Sequence, residues 1–247
     1  MRMAGVPFSP PLVPARFLRR LNRFAALVEV EGRRARVHVR NSGRLRELLS
    51  PGRPVLVEPA GAAIRKTRFT LALVRLPHGY VSADAHLPNA LVAEALRRGE
   101  VPGLGGYRIL RREPAMGRGR ADFLLARAGR QCLLEVKSVT LVERGVALFP
   151  DAPTLRGRIH LEHLIAARQR GLEAAILFVI QREDATAFAP NWEADEAFGG
   201  TLHRAWRAGV HVSALACRVN RKSVQLDRPI PVRLELPRCR VRVRERD

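Results

Sequence analysis

Lysine is almost missing from this chain. Of 44 basic residues, only Lys66, Lys137 and Lys222 are lysine. A lysine kept where arginine is the rule is a compact, tunable point charge, which a guanidinium is not. Acidic residues are also scarce: 23 of them leave a formal net charge of +21 and a pI near 11.6. Such an excess is the electrostatic footprint of a nucleic-acid partner. The three cysteines, Cys132, Cys217 and Cys239, form no CxxC or finger spacing. That excludes a zinc finger and a disulfide framework, and it suggests a reducing compartment. No stretch reaches the ~18 apolar residues of a membrane span. The start, MRMAGVPFSPPLVP, lacks the apolar core of a signal peptide. The expected setting is therefore the cytoplasm, with no membrane partner, and the arginine-rich usage fits a high-GC bacterium. Aromatics make up 5% of residues, so base stacking in the N-terminal part rests on one or two of Phe17, Phe24, Phe69 and Tyr80, each of which is more readily read as core filler.

What is present falls into two rhythms. Residues 1–84 read as short strands. Phe24 to Glu31 and Arg33 to Arg40 flank Gly32 as a hairpin. Asn41-Ser42-Gly43 is turn chemistry, and Arg44 to Leu49 a short helical turn. Further strands are expected at Val55–Val57, Arg65–Leu76 and Tyr80–Ala83. Five or so short strands in such a span suggest a small barrel of the OB type. This part carries 16 basic against 5 acidic residues, the denser positive charge of the chain, which suits a grip on phosphates.

Residues 85–235 alternate strands with capped helices, the pattern of an α/β sheet. Asn89 is the expected cap of a helix through Leu96, ended by Gly99. Phe123–Ala126 and Gln131–Val139 read as strands. Thr154 caps a helix to Arg170, stopped by Gly171. Ala174–Gln181 is a strand, a helix spans Asp195–Ala208, and Val210–Val219 is a last strand. The residues from 236 to 247 form a basic tail or edge strand.

The chemistry concentrates at Asp122, Glu135 and Lys137. A hairpin turning at Ala128-Gly129 places Asp122 opposite Glu135 and Lys137 opposite Arg120. Opposed Cβ atoms lie ~4.5–5.5 Å apart, and Glu135 and Lys137 share a face by the period of two. Two carboxylates so close repel by ~3 kcal/mol at an effective dielectric near 20. A hard cation, Mg²⁺ or Mn²⁺, neutralises such a pair and can activate water against a phosphate. The same trio also reads as a structural ion pair, with Lys137, Arg118 or Arg120 bonding both acids. Spacing alone favours that second reading, since a D…ExK pattern is common by chance. Glu94, on the preceding helix, is a possible third carboxylate or a solvated helix face. His160 and His163 share a helix face, without further ligands for zinc. Arg156, Arg158 and His160 stand near a helix N-terminus, where anions are favoured.

Several stretches resemble the sugar fermentation stimulation protein A family: RFLRRLNRF (16–24), HVRNSGRLRELLSPG (38–52), RKTRF (65–69), LPNALVAEAL (87–96), RADFLL (120–125), LLEVKSVTLV (133–142), ALFPDAPTLRGRIHLEHL (147–164) and ILFVIQREDA (176–185). They cover about 15 to 240 in order. The resemblance implies an OB-like N-terminal domain and a restriction-endonuclease-like α/β domain of the PD-(D/E)xK type. It implies DNA binding without strong sequence preference and a regulatory role in sugar, particularly maltose, metabolism. The metal-site pattern falls on Asp122, Glu135 and Lys137, with Glu94 as the helix acid, and the family's His-Leu pair on His160 and Leu161. Leu21 and Arg40 stand where proline is expected, and Ser42 where threonine is. With the resemblance, the metal-site reading overtakes the ion pair. The candidate nucleic-acid contacts are Arg19, Arg20, Arg23, Arg36, His38, Asn41, Arg44, Arg65, Lys66, Arg68, Arg156, Arg158 and His160. The resulting expectation is a DNA-binding protein with an Mg²⁺-dependent, nuclease-like site. A non-catalytic DNA-binding regulator and an RNA-binding or RNA-processing protein are the alternatives.

Overall fold

Three hairpins in this chain turn on the same two-residue device, a residue followed by glycine with both φ angles positive. Glu31-Gly32 (50° and 74°), Ala128-Gly129 (45° and 79°) and Arg144-Gly145 (49° and 79°) all show it. That backbone twist matches the twist of the flanking strands. The computed structural model describes residues 4–8, 11–60, 67–117 and 119–235. Arg65, Lys66, Arg118, Cys239 and the 236–247 tail lie outside them.

The N-terminal barrel orders its strands Arg33–His38, Ala25–Val30, Val13–Asn22, Pro54–Pro59, Phe69–Leu76 and Gly79–Ser82. Val37 and His38 pair in parallel with Phe69 and Thr70, which closes the first five strands on themselves. Closure removes the exposed edges that an open sheet would leave. The interior is filled by Phe17, Val28, Val37, Val57, Leu71 and Val74, with Leu45 and Leu48 plugging one end. Leu48 and Leu49 N–H groups both bond the Leu45 carbonyl, the expected helical turn. The ten-residue strand Val13–Asn22 is absent from the sequence reading. Two register shifts, at Phe17/Arg19 and Arg20/Asn22, break its alternation, because a bulge moves the side-chain phase by one.

The larger sheet runs Gly5–Pro7, Ser223–Pro229, His211–Val219, Glu173–Ile180, Arg130–Val139, Phe123–Arg127 and Arg108–Arg112. Its three central strands are parallel, and its flanks antiparallel. Gly5–Pro7 therefore belongs to this sheet, and the expected unit 1–84 loses residues 4–8 to the second domain. Helix α1 (Leu87–Arg98) covers one face, and α2 (Leu155–Gln169) and α3 (Glu196–Arg207) the other. Along Glu173–Ile180, Ala175, Leu177 and Val179 join the α1 core, whereas Ala174, Ile176, Phe178 and Ile180 join the other. A strand apolar on both faces is what a parallel sheet between helix layers demands. Thr154 accepts from Gly157 N at 3.0 Å and Asp195 from Phe198 N at 2.9 Å, so both helices begin on capped turns. Helix α1 starts earlier than expected: Pro88 lies in its first turn and His86 is the cap residue. Asn89 is thus inside the helix.

The barrel is tied to the sheet at the carboxyl ends of the central strands. Ser82 N donates to the Gln181 carbonyl at 3.1 Å, and Gln181 Nε2 to the Asp84 carbonyl at 2.8 Å. Ala85 N donates to the Arg40 carbonyl at 2.9 Å, while Arg40 Nε pairs with Asp84 at 3.1 Å. Among the described residues, no helix is long and apolar enough to cross a membrane.

Candidate metal centre and nucleic-acid cleft

The Ala128-Gly129 turn sets the register on which the site depends. Phe123 pairs with Leu134 and Arg127 with Arg130, the alignment the sequence implies. The ladder ends there. Arg120 pairs with Ala115 in a small hairpin of its own, so it does not oppose Lys137. Asp122 leaves the ladder and sends its side chain back to the neighbouring strand, where Oδ2 accepts from Val136 N at 2.7 Å. Its Oδ1 accepts from Asn89 Nδ2 at 2.7 Å. Asn89, expected as a cap, is instead the residue that orients Asp122. The signal for this was Pro88, which marks a helix start and displaces Asn89 inward.

Glu135 and Lys137 follow Leu133 on the face turned toward α2. Glu135 is 3% exposed. Its Oε1 accepts from Lys137 Nζ at 2.6 Å and contacts Nδ1 of the buried His160. Arg156 Nε approaches His160 Nε2 at 3.4 Å. A proton on Nδ1 lets the ring donate to Glu135. Glu135 Oε2 is buried and has no hydrogen-bond partner.

The two carboxylates are pushed apart electrostatically. Burial, followed by the charge of Glu135, raises the Asp122 pKa above the usual range, against the pull of Val136 N–H, Asn89 and Lys137. Burial also presses the Glu135 value upward, but the His160 hydrogen bond and the charges of Lys137 and His160 outweigh it, so Glu135 is held below its ordinary value. Burial and neighbouring charge are the two causes at work.

Glu94 does not join them. Its carboxylate pairs with Arg97 and, at 2.7 Å, with Arg98 on its own helix. No group of three or more His, Cys, Asp or Glu side chains suited to a metal is found among the described residues. Asp122 and Glu135, whose Oε2 is unpartnered, are hard anionic oxygen donors of the kind Mg²⁺ accepts.

The pair lies in a cleft of about 1000 Å³ between barrel and sheet. Of the expected nucleic-acid contacts, Arg20, Arg23, Asn41, Arg44, Arg156 and His160 line it, joined by Arg46 and Arg120. Arg19, Arg36, His38, Arg68 and Arg158 do not. Arg19 and Arg36 flank Leu27 on the barrel wall, and His38 Nδ1 bonds the Phe24 carbonyl at 3.1 Å. The rim loop 41–45 is locked. Asp151 Oδ2 accepts from Arg44 N at 2.7 Å and Leu45 N at 3.4 Å. A Cβ at Gly43 would come within 2.8 Å of that oxygen, so only glycine permits the approach. Arg20 is largely spent on the same loop: its guanidinium reaches the carbonyls of Asn22, Arg23, Asn41, Gly43 and Arg44.

The comparisons with known proteins agree with this architecture. The family model described as Sugar fermentation stimulation protein RE domain matches residues 86–223, and that described as SfsA N-terminal OB domain matches 18–83. The Sugar fermentation stimulation protein homolog of Natranaerobius thermophilus is 44% identical over 229 residues, covering 91% of this chain and 95% of the relative. The homolog of Acetivibrio thermocellus is 46% identical over 224 residues, covering 90% and 96%. Among solved structures, Pyrococcus furiosus SfsA in complex with Ca²⁺ superposes with a TM-score of 0.87 at 31% identity, over 94% of this chain and 99% of that one.

Proposed function

This chain belongs to the sugar fermentation stimulation protein family, and we propose that it binds DNA in the interdomain cleft and carries there a divalent-metal, nuclease-like site. The observation that supports this most directly is the Glu135 Oε2 atom, buried and without a hydrogen-bond partner, on a carboxylate whose charge Asp122 feels. An unpaired buried acceptor is costly, and a cation relieves it. Asp122 and Glu135 would hold Mg²⁺ or Mn²⁺, and the Ca²⁺ carried by the Pyrococcus furiosus relative suits the same oxygen chemistry. An ion held there would supply an activated water and would screen charge on a phosphodiester.

The protein's own groups divide the remaining tasks. Val136 N–H and Asn89 fix both oxygens of Asp122. Lys137 and His160 occupy Oε1 of Glu135, which leaves Oε2 as the free oxygen. Lys137 lines the cleft, and its Nζ, bonded to Glu135 Oε1, would meet a phosphate oxygen entering it. Arg23, Arg44, Arg46 and Arg120 offer sequence-independent phosphate contacts along the rim.

Calorimetric titration with Mn²⁺ of the wild type and of Asp122→Asn/Glu135→Gln tests the site. Binding by the wild type alone supports it, and metal-dependent cleavage of single-stranded, duplex or branched DNA completes the reading. Absence of both overturns it. One observation favours a second reading, a non-catalytic DNA-binding regulator acting in sugar metabolism: Glu94 is committed to Arg97 and Arg98, so the expected third acid is missing from the cleft. That reading predicts DNA binding without metal-dependent cleavage. Competition with RNA of matched sequence separates an RNA-binding role from both.

A further inference from the structure

The barrel hides most of its rings. Phe17 is fully buried, and Phe69 and Tyr80 are partly so. Phe24 is 50% exposed, and Leu21 beside it 36%. A flexible loop would fold such a ring back onto apolar surface. Here the backbone that carries the ring is held by hydrogen bonds on both sides. Phe24 N donates to Asn22 Oδ1 at 2.9 Å, and the Phe24 carbonyl accepts from Val39 N at 2.9 Å. Arg23 Nε donates to the Ser42 carbonyl at 3.2 Å, and the Arg20 guanidinium contacts the Arg23 carbonyl. The tip is a rigid mount for an exposed ring.

The mount stands at the cleft. Its residues Asn22 and Arg23, though not Phe24 itself, line the cavity together with Arg20, Arg44 and Arg46. The Arg23 guanidinium carbon lies 5.7 Å from the centroid of the Phe24 ring. A positively charged track beside a fixed aromatic face is the combination that holds single-stranded nucleic acid. A paired base inside a duplex has its faces already covered by its neighbours, so a ring at the rim gains little from it.

We propose that Phe24 is a stacking platform for an unpaired nucleobase, which makes the cleft select single-stranded or frayed DNA over intact duplex. This rests on the reading that the cleft holds DNA, and it names the substrate class. Arg23, Arg44 and Arg46 carry the phosphates flanking the stacked base. Because every base has a face, the platform confers no sequence preference.

The test is fluorescence anisotropy in EDTA, which prevents cleavage, with labelled oligo(dT) of about 20 nucleotides and a duplex of about the same length. Wild type, Phe24→Ala and Phe24→Trp are compared. Phe24→Ala is expected to weaken oligo(dT) binding about tenfold, the order that one stacked base contributes, and duplex binding less than about twofold. Phe24→Trp retains oligo(dT) affinity, and its fluorescence is quenched on binding beyond any change from Trp192 and Trp206. An equal loss on both probes, no loss on either, or an unquenched Phe24→Trp overturns the inference while leaving DNA binding intact. A wild type that binds neither probe overturns both.

Discussion

Glu135 and Arg44 face one cleft, yet they are held there in opposite ways. Glu135 sits on a central strand under α2, and its accepting oxygen is shared between Lys137 and His160. Arg44 is fixed only through its backbone, by Asp151 on the other domain, and its side chain is exposed. The floor is thus a buried polar network whose members depend on one another. The rim is a set of solvated charges on a locked loop. Disturbing the Glu135 network is therefore expected to cost stability, whereas disturbing the rim is expected to cost affinity for a polyanion.

Four measurements sharpen that contrast. The largest effect is expected from Glu135→Ala, which leaves Lys137 and His160 without their shared acceptor. Removing one partner of a buried pair costs roughly 3–5 kcal/mol, a drop in Tm of about 10 °C for a chain of this size, read by scanning calorimetry. The Glu135 contribution carries a sign in pH. Its folded pKa is lowered, so its stabilisation is present at neutral pH and is lost as pH falls through the folded value. The gap between wild type and Glu135→Gln must therefore close in acid. A gap that widens there would contradict the ion-paired state.

Next is salt. With about five rim cations engaged, the affinity for DNA should fall some 10²- to 10³-fold between about 50 and 200 mM salt. A flat profile removes the rim from the binding surface. Third, Arg20→Ala and Arg44→Ala separate two arginines that sequence does not distinguish. Arg20→Ala frees several loop carbonyls and should cost about 2 kcal/mol of stability. Arg44→Ala should leave stability within about 0.5 kcal/mol and lower the salt slope by about one. Equal Tm shifts would break the distinction.

The smallest effect is at Asp122. Its folded pKa is raised, so the folded state holds the proton more tightly than the unfolded chain does, and ionisation at neutral pH works against folding. Asp122→Asn should leave Tm unchanged or higher at pH 7, with the difference shrinking toward acid, while abolishing cation binding. A clear loss of stability instead would make Asp122 a structural residue.

Much of this was legible from neighbouring residues alone. The Ala128-Gly129 turn and its register, the Thr154 cap and the glycine stops at Gly99, Gly171 and Gly209 depend on local conformation, and they stand where the pattern places them. The expected pairing of Asp122 directly opposite Glu135 was not, because the ladder ends at Phe123 and Leu134 and Asp122 reaches the next strand only through its side chain, at Val136 N. The strand Val13–Asn22 was not, since its bulges erase the alternation. Nor was the strand Ser223–Pro229, which takes Gly5–Pro7 as its partner from the far end of the chain.

By itself, the sequence determined a basic, two-part protein with an acidic pair beside a rare lysine, because charge, turn chemistry and hydrophobic period are carried by residues close together. Only the tertiary structure decided which helix residue meets Asp122, Asn89 rather than Glu94, and which arginines face the cleft. Those depend on the rotation of α1 against the sheet and on Asp151 reaching the barrel loop, contacts between segments far apart in the chain that no local pattern encodes.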